Sequence, residues 1–251
     1  MPGSDKVQSV LRALDLLRAI AEAPSGLRLG DMAEATGLGK TTAHNLVRTL
    51  CARGFLARDA SGRYVMGDAV YEMAQLGRRN AIMEEAALQM RRLGQEFPAT
   101  VITFSEMTPA AIYCRMRLSP DRPGEIQRPL DRIFTPYVSV TAICLQATGL
   151  NAGGFEQRFP FDEHGAGRWA TRGDFMKAKD EVRRSGRCLR HNSGTMAIAF
   201  AVPENFALGF SIENPPADFL DRVKAEADVF RKALSTFAKT ETPDQHVQPD
   251  V

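Results

Sequence analysis

The chain has 251 residues, long enough for two domains, and its 44% hydrophobic content is enough to bury a core. A formal net charge of +2 excludes a general polyanion binder. Four scattered cysteines (Cys51, Cys114, Cys144, Cys188) and a charged, periodic start predict reduced thiols and no secretion signal. No apolar run approaches the roughly 20 residues of a membrane helix, so a soluble, cytoplasmic protein with no membrane partner is expected.

In chain order, Val10, Leu11, Leu14, Leu17, Ile20 and Ala21 mark an amphipathic helix that caps a trihelical core, and Pro24-Ser25-Gly26 ends it. Leu29, Met32 and Ala33 give the next, shorter helix its buried face, and Gly37 supplies the positive φ that terminates it. Leu38 plugs the angle to a third helix, opened by Lys40, Thr41 and Thr42, where side chains and free N–H groups can meet phosphate. In that helix Ala43, Leu46, Val47 and Leu50 face inward by their spacing, which leaves His44, Asn45, Arg48 and Thr49 outward. Two short apolar runs, Phe55-Leu56-Ala57-Arg58 and Arg63-Tyr64-Val65-Met66, flank the turn cluster Asp59-Ala60-Ser61-Gly62 and predict a hairpin wing. Arg58 and Arg63 then sit on its tip or flank, in reach of a DNA backbone or minor groove.

This is a winged helix-turn-helix, and double-stranded DNA is the expected partner; a small helical domain that binds protein is the alternative. Within residues 1–67, nine basic residues stand against six acidic ones. So small an excess grips DNA weakly in one copy, and a dimer on a two-fold site is expected. Gly39-Lys40-Thr41 imitates the end of a phosphate-binding P-loop, but Glu34 occupies the position that needs a glycine, and it lies inside a helix.

Residues Ala69 to Glu96 are rich in helix formers, and Gly77-Arg78-Arg79-Asn80 predicts a joint between two helices. Apolar residues on such a connecting helix point again to a twin copy. From Thr100 the pattern changes to strands: Val101 to Ser105 and Ala110 to Met116 form a hairpin around Met107-Thr108-Pro109. A polar, proline-bearing stretch runs from Ser119 to Pro136. Helices are predicted over Val138 to Ala147 and Phe175 to Ser185, strands over Met196 to Val202 and Ala207 to Ile212, and a closing amphipathic helix over Phe219 to Phe237. A mainly antiparallel sheet with helices to one side is an α+β domain.

The segment SVLRALDLLRAIAEAPSGLRLGDMAEATGLGKTTAHNLVRTLCARGFL, with the wing after it, resembles the IclR family of bacterial transcriptional regulators, and the resemblance runs over nearly the full length. It implies a winged helix-turn-helix at 1–67, a linker helix at 68–85, a GAF-like effector-binding domain at 86–239 and, by composition, a disordered tail at 240–251. It also implies homodimers, often paired into homotetramers, that respond to small, often carboxylate-bearing or aromatic metabolites, with no cofactor, no metal and no catalysis. The family places a proline-containing loop and a small-residue helix at the pocket mouth, matched here by Pro136 to Ile143, with Ser139, Thr141, Ala142 and Ile143 as candidates. The usual glycine of that helix is absent. Further pocket positions fall on Thr195, Ala197, Ser211 and Glu213. Ser211 can donate to a carboxylate, whereas Glu213 repels one unless it turns away or a cation compensates. Where the family carries an acidic stretch after Gly186, this chain has the basic run Arg187-Cys188-Leu189-Arg190-His191-Asn192-Ser193. Asn45 stands where the family often has arginine, which shifts the expected base contact from guanine toward adenine.

Other constellations are thinner. Cys188 and His191 have the spacing of two metal ligands without a second pair nearby, and a Cys-His nucleophile on Cys144 or Cys188 lacks an orienting third group. Trp169, the only tryptophan, is either a lid over the pocket or a packed aromatic. The resulting expectation is a ligand-responsive DNA-binding regulator, with an architectural DNA binder or a cysteine-dependent enzyme as alternatives.

Overall fold

The computed structural model describes residues 6–128, 134, 136–149 and 155–238. The chain divides into two compact units, Met1–Asn80 and Ala81–Val251. The polar stretch before Pro136 is described only in part, and the tail at 240–251 lies outside the described residues.

The first unit packs α1 (Gln8–Ala21), α2 (Leu29–Thr36) and α3 (Lys40–Ala52) against a hairpin of β1 (Leu56–Arg58) and β2 (Tyr64–Met66). Leu16, Ile20, Met32, Val47 and Leu56 are its buried centre. Gly37 caps α2 in the left-handed conformation at φ 66°, a conformation that costs glycine little and other residues much. Leu27 bridges to Tyr64, which ties the segment before α2 to the wing.

The predicted face of α1 needs correction. Leu16 and Ile20 are buried, with Leu17 packed beside them, but Val10 and Leu14 are 54% and 56% exposed and Leu11 is also exposed. The helix carries two apolar stripes, and within one chain only the stripe facing α2 and α3 is covered. The second stripe, continued by Val7 just before the helix, has the same period as the first and is exposed.

Helix α4 (Asp68–Glu96) runs unbroken for 29 residues through Gly77, so the predicted joint does not form. A glycine costs a helix interior only about 1 kcal/mol relative to alanine, and strong helix formers on both sides outweigh that. The division between the units falls inside this helix.

The second unit is built on a six-stranded antiparallel sheet, and the α+β class stands. Its strands are β3 (Val101–Met107), β4 (Ile112–Ser119), β5 (Arg122–Gln127), β6 (Arg187–Asn192), β7 (Thr195–Val202) and β8 (Phe206–Glu213), in the order β5-β4-β3-β8-β7-β6. Pattern reading missed the two outermost strands. β5 contains Pro123 and a positive-φ Gly124, residues a terminal strand tolerates because one of its edges carries no ladder. β6 is too polar to alternate visibly.

Helices cover both faces of the sheet rather than one. On one face the second half of α4 and the final helix α9 (Phe219–Ala238) bury Met90, Leu93, Phe219 and Phe230 against Phe104, Ile198, Phe200 and Leu208. On the other lie α5 (Val140–Thr148), the short α6 (Phe155–Arg158) and α7 (Phe161–His164), and α8 (Arg172–Ser185), around Tyr137, Cys144, Phe175 and Cys188. This second face of the sheet is paved with small residues. At Gly209 an added Cβ would lie 2.5 Å from the Thr141 methyl and 2.8 Å from the Thr103 hydroxyl, so the glycine is what lets α5 lie close.

Candidate nucleic-acid interface and ligand cavity

Along α3 the inward positions are closed, with Ala43 and Val47 buried. The opposite face presents Lys40, Thr41, His44, Asn45, Arg48 and Thr49 to solvent, with Thr42 half-buried at its margin. Thr49 donates back to the Asn45 carbonyl at 2.9 Å, which leaves the His44 imidazole, the Asn45 carboxamide and the Arg48 guanidinium among the outward groups chemically able to pair with base edges. The two wing arginines differ. Arg58 is exposed, donates to the Gly62 carbonyl at 3.2 Å and lies over the Tyr64 ring. Arg63 is half-buried and donates to the Gly26 carbonyl at 3.1 Å, so it fastens the wing to the segment before α2 besides adding charge. The wing turn is held by Asp59, whose carboxylate accepts from the Ser61 hydroxyl and the Arg63 N–H, both at 2.8 Å. Those bonds keep its pKa below the usual carboxylate range.

In the second unit a cavity of about 610 Å³ opens on the small-residue face of the sheet. Register explains it. Val101, Ser211, Ala197 and Arg190 stand directly opposite one another across β3, β8, β7 and β6, and opposed residues share a face. Two small side chains in the middle of that row leave the floor hollow. Of the predicted effector residues, Ser139, Thr195, Ala197 and Ser211 border the cavity. Thr141, Ala142 and Ile143 are buried and outside the described lining. Thr141 accepts or donates a 2.7 Å hydroxyl contact with Ser139 and lies 3.3 Å from the Ser105 hydroxyl, so it positions Ser139. Glu213 is exposed at the end of β8, opposite Thr195 and on the same face of the sheet, and is itself outside the described lining.

The mouth is framed from both sides. The Gln146 carboxamide donates to the carbonyls of Pro136 and Ala142, which fixes the turn leading into α5. The Trp169 indole N–H donates to the Tyr137 carbonyl at 2.9 Å, and its ring packs edge-on against Phe175. Trp169 is thus a packed aromatic, while its neighbours Gly167 and Arg168 border the opening. Arg168 and Arg190 were absent from the predicted site, although the basic run around Arg190 had stood out in the sequence.

The sulfur chemistry is quiet. Burial pushes the Cys144 thiol up to about 12 and the Cys188 thiol to about 11, far from the thiolate a nucleophile requires. Residues 188 and 191 are three apart on a strand, so they point to opposite faces; Cys188 is buried and His191 exposed. Among the described residues no group of three or more His, Cys, Asp or Glu side chains is arranged to hold a metal. No helix among them is long and apolar enough to cross a membrane.

Residues 9–60 match the model of the IclR helix-turn-helix domain. The glycerol operon regulatory protein of Streptomyces coelicolor is 44% identical over 72 residues, 28% of this chain and 27% of that relative. The HTH-type transcriptional regulator KipR of Bacillus subtilis is 39% identical over 72 residues, 29% of this chain and 28% of its own. The chain therefore aligns with under a third of the length of these relatives. A putative IclR transcriptional regulator from Silicibacter sp. TM1040 matches 94% of this chain and 97% of its own at 16% identity and a TM-score of 0.53. Pseudomonas aeruginosa HmgR matches 94% and 99% at 18% identity and a TM-score of 0.51. At such identities the solved structures carry the fold and nothing finer.

Proposed function

We propose that the chain, whose residues 9–60 match the IclR helix-turn-helix domain, is a transcriptional regulator of the IclR type that binds operator DNA through its first unit and adjusts that binding to a small organic metabolite held in its second. The observation that carries the DNA half is the outward face of α3, with Lys40, Thr41, His44, Asn45 and Arg48 exposed above a closed core. Lys40, Thr41, Thr42, Arg58 and Arg63 anchor phosphates, and His44, Asn45 and Arg48 read bases. The effector half rests on the cavity beside Ser139, Thr195, Ala197 and Ser211, whose volume suits a small organic ligand. An effector acts by its unequal affinity for two arrangements of the protein on DNA.

We further infer that the working form is a dimer or a pair of dimers in the cytoplasm. Uncovered apolar residues support it: a stripe of Val10, Leu11 and Leu14 on α1 with Val7 just before it, and Tyr71, Met73 and Leu76 on α4. Single copies with so modest an excess of positive charge hold DNA weakly, and two-fold pairing multiplies the contacts.

The test is selection of a binding sequence from random DNA, followed by titration of wild type and Arg48→Ala on selected and scrambled duplexes. Loss of about 1–3 kcal/mol on the selected duplex alone is expected if Arg48 reads a base. Equal loss on both removes that role, and failure to enrich any sequence removes the regulator. A metabolite screen that shifts operator affinity separates the sensor from a purely architectural DNA binder.

A further inference from the structure

We propose that the exposed face of the second half of α4 is a self-complementary interface, on which a second copy of this chain docks with its own α4 reversed. The contact lies wholly within the second unit. It is therefore separate from the apolar residues of α1 and of the first half of α4 that support the dimer above.

This part of α4 reads Glu84-Glu85-Ala86-Ala87-Leu88-Gln89-Met90-Arg91-Arg92. Ala86, Ala87 and Met90 turn toward the sheet and are buried. On the other side Glu84, Leu88 and Arg91 are exposed, and spacings of four and then three place them on one stripe. Leu88 is 58% exposed, while Ile82, Met90 and Leu93 of the same segment are closed. Helix α9 widens the surface. Arg92 pairs with Glu226 and Glu96 with Arg222, so four residues back along α4 correspond to four forward along α9, and the two helices run antiparallel. One further step brings Leu88 level with residues 229 and 230, of which Phe230 is buried and Val229 is 49% exposed. Ala225, one turn earlier, is exposed as well.

The charges select the occupant. In this half of α4, Glu85 accepts from Gln89, Arg92 is held by Glu226, and Glu96 by Arg222. Among the described residues Glu84 and Arg91 take part in no ion pair or side-chain hydrogen bond. They cannot satisfy each other, because seven residues of helix separate them by about 10 Å. A two-fold axis through the stripe reverses the second helix, and the order acid, leucine, base becomes its own complement. Each Glu84 then faces the partner's Arg91, and the apolar residues close the centre. The centre supplies the affinity and the charged ends fix the direction. A partner of one charge sign would set like charges together at one end, so a second copy fits where a purely acidic or basic surface does not.

The experiment is sedimentation equilibrium of the full-length protein over a concentration series, with wild type, Glu84→Arg, Arg91→Glu and an equimolar mixture of the two variants. Each reversal sets two like-charged pairs across the axis. Association through this face should weaken about tenfold or more, halving the mass at concentrations where wild type is associated. In the mixture one chain carries two bases and the other two acids, so unlike chains pair and the wild-type mass should return. Recovery on mixing excludes a damaged fold as the cause. A mass that either reversal leaves unchanged, a loss that the mixture does not recover, or a wild type that stays monomeric throughout overturns the assignment. Leu14→Gln on α1 judges the dimer proposed above separately. If the reversals lower the mass and Leu14→Gln does not, this face stands and the α1 stripe falls; the opposite result keeps the stripe and removes this face.

Discussion

The two faces of the six-stranded sheet carry different kinds of residue although they share one backbone. One face presents Phe104, Ile198, Phe200, Leu208 and Phe210 to helices α4 and α9, in a packing with stacked and tilted rings such as Phe104 on Phe206 and Phe230. The other, on alternate residues of the same strands, presents Thr103, Ala197, Ala199, Gly209 and Ser211. Alternation with period two lets a single strand supply bulk to one side and space to the other. Dense packing and open space are thus separated across the thickness of the sheet, and substitutions on the two faces should have different signatures.

The largest expected effect is on the dense face. Phe104→Ala removes a fully buried ring and should cost about 3–5 kcal/mol in chemical denaturation; a loss below about 1 kcal/mol would mean the face is less rigid than its contacts imply. On the small-residue face the damage comes from addition. Gly209→Ala forces a methyl toward Thr141 and Thr103 and should destabilise by about 1–3 kcal/mol. Thr141→Ser removes the nearest methyl, so the double variant should recover part of that loss, and strict additivity of the two changes would show that the contact does not limit packing.

A pH effect sharpens the same comparison. Cys144 and Cys188 lie under the small-residue face with pKa values raised from 9 to about 12 and about 11. The folded state therefore holds these thiol protons more tightly than the unfolded chain. Their contribution is complete below pH 9 and is lost as the pH rises toward the folded values. Denaturation midpoints should fall over that window and fall less in Cys144→Ala; a parallel fall in both proteins would assign the loss to other groups. The smallest effect on stability is expected from Ala197→Leu, which fills the hollow from its floor. Ligand-free stability should stay within about 1 kcal/mol, while any ligand-induced shift in melting temperature disappears. Retention of the full shift would place the ligand elsewhere.

How much was legible in the sequence follows from the range of the interactions involved. The helix-turn-helix was readable because Ala43, Val47 and Gly37 declare themselves through spacing and backbone preference within a few residues. The face of α1 was misjudged because its two apolar stripes have the same period, and only contact with α2 and α3 selects Leu16 over Leu14. A single Gly77 is outweighed by the helix formers on either side of it. In the second unit Ser139, Thr195, Ala197 and Ser211, singled out in the sequence, border the cavity. The two arginines were not, because Arg190 reaches the cavity through pairing with Ala197 and Arg168 through the anchoring of Trp169 to Tyr137. Neither link has a local signature. The basic run from Arg187 to His191 was visible as a departure from the family pattern, but its polarity hid the strand that gives it direction.

Strand β6 ends the sheet, and the outer edge of a sheet is where foreign strands add and aggregation begins. Arg187 and Arg190 place positive charge along that border, with His191 beside them. Charged side chains are a common defence of such borders, so Arg190 has a duty there unrelated to any ligand. Exchanging it for an apolar residue to alter specificity would also soften the guard on the edge, and the resulting protein should be harder to keep in solution at high concentration than its melting temperature suggests.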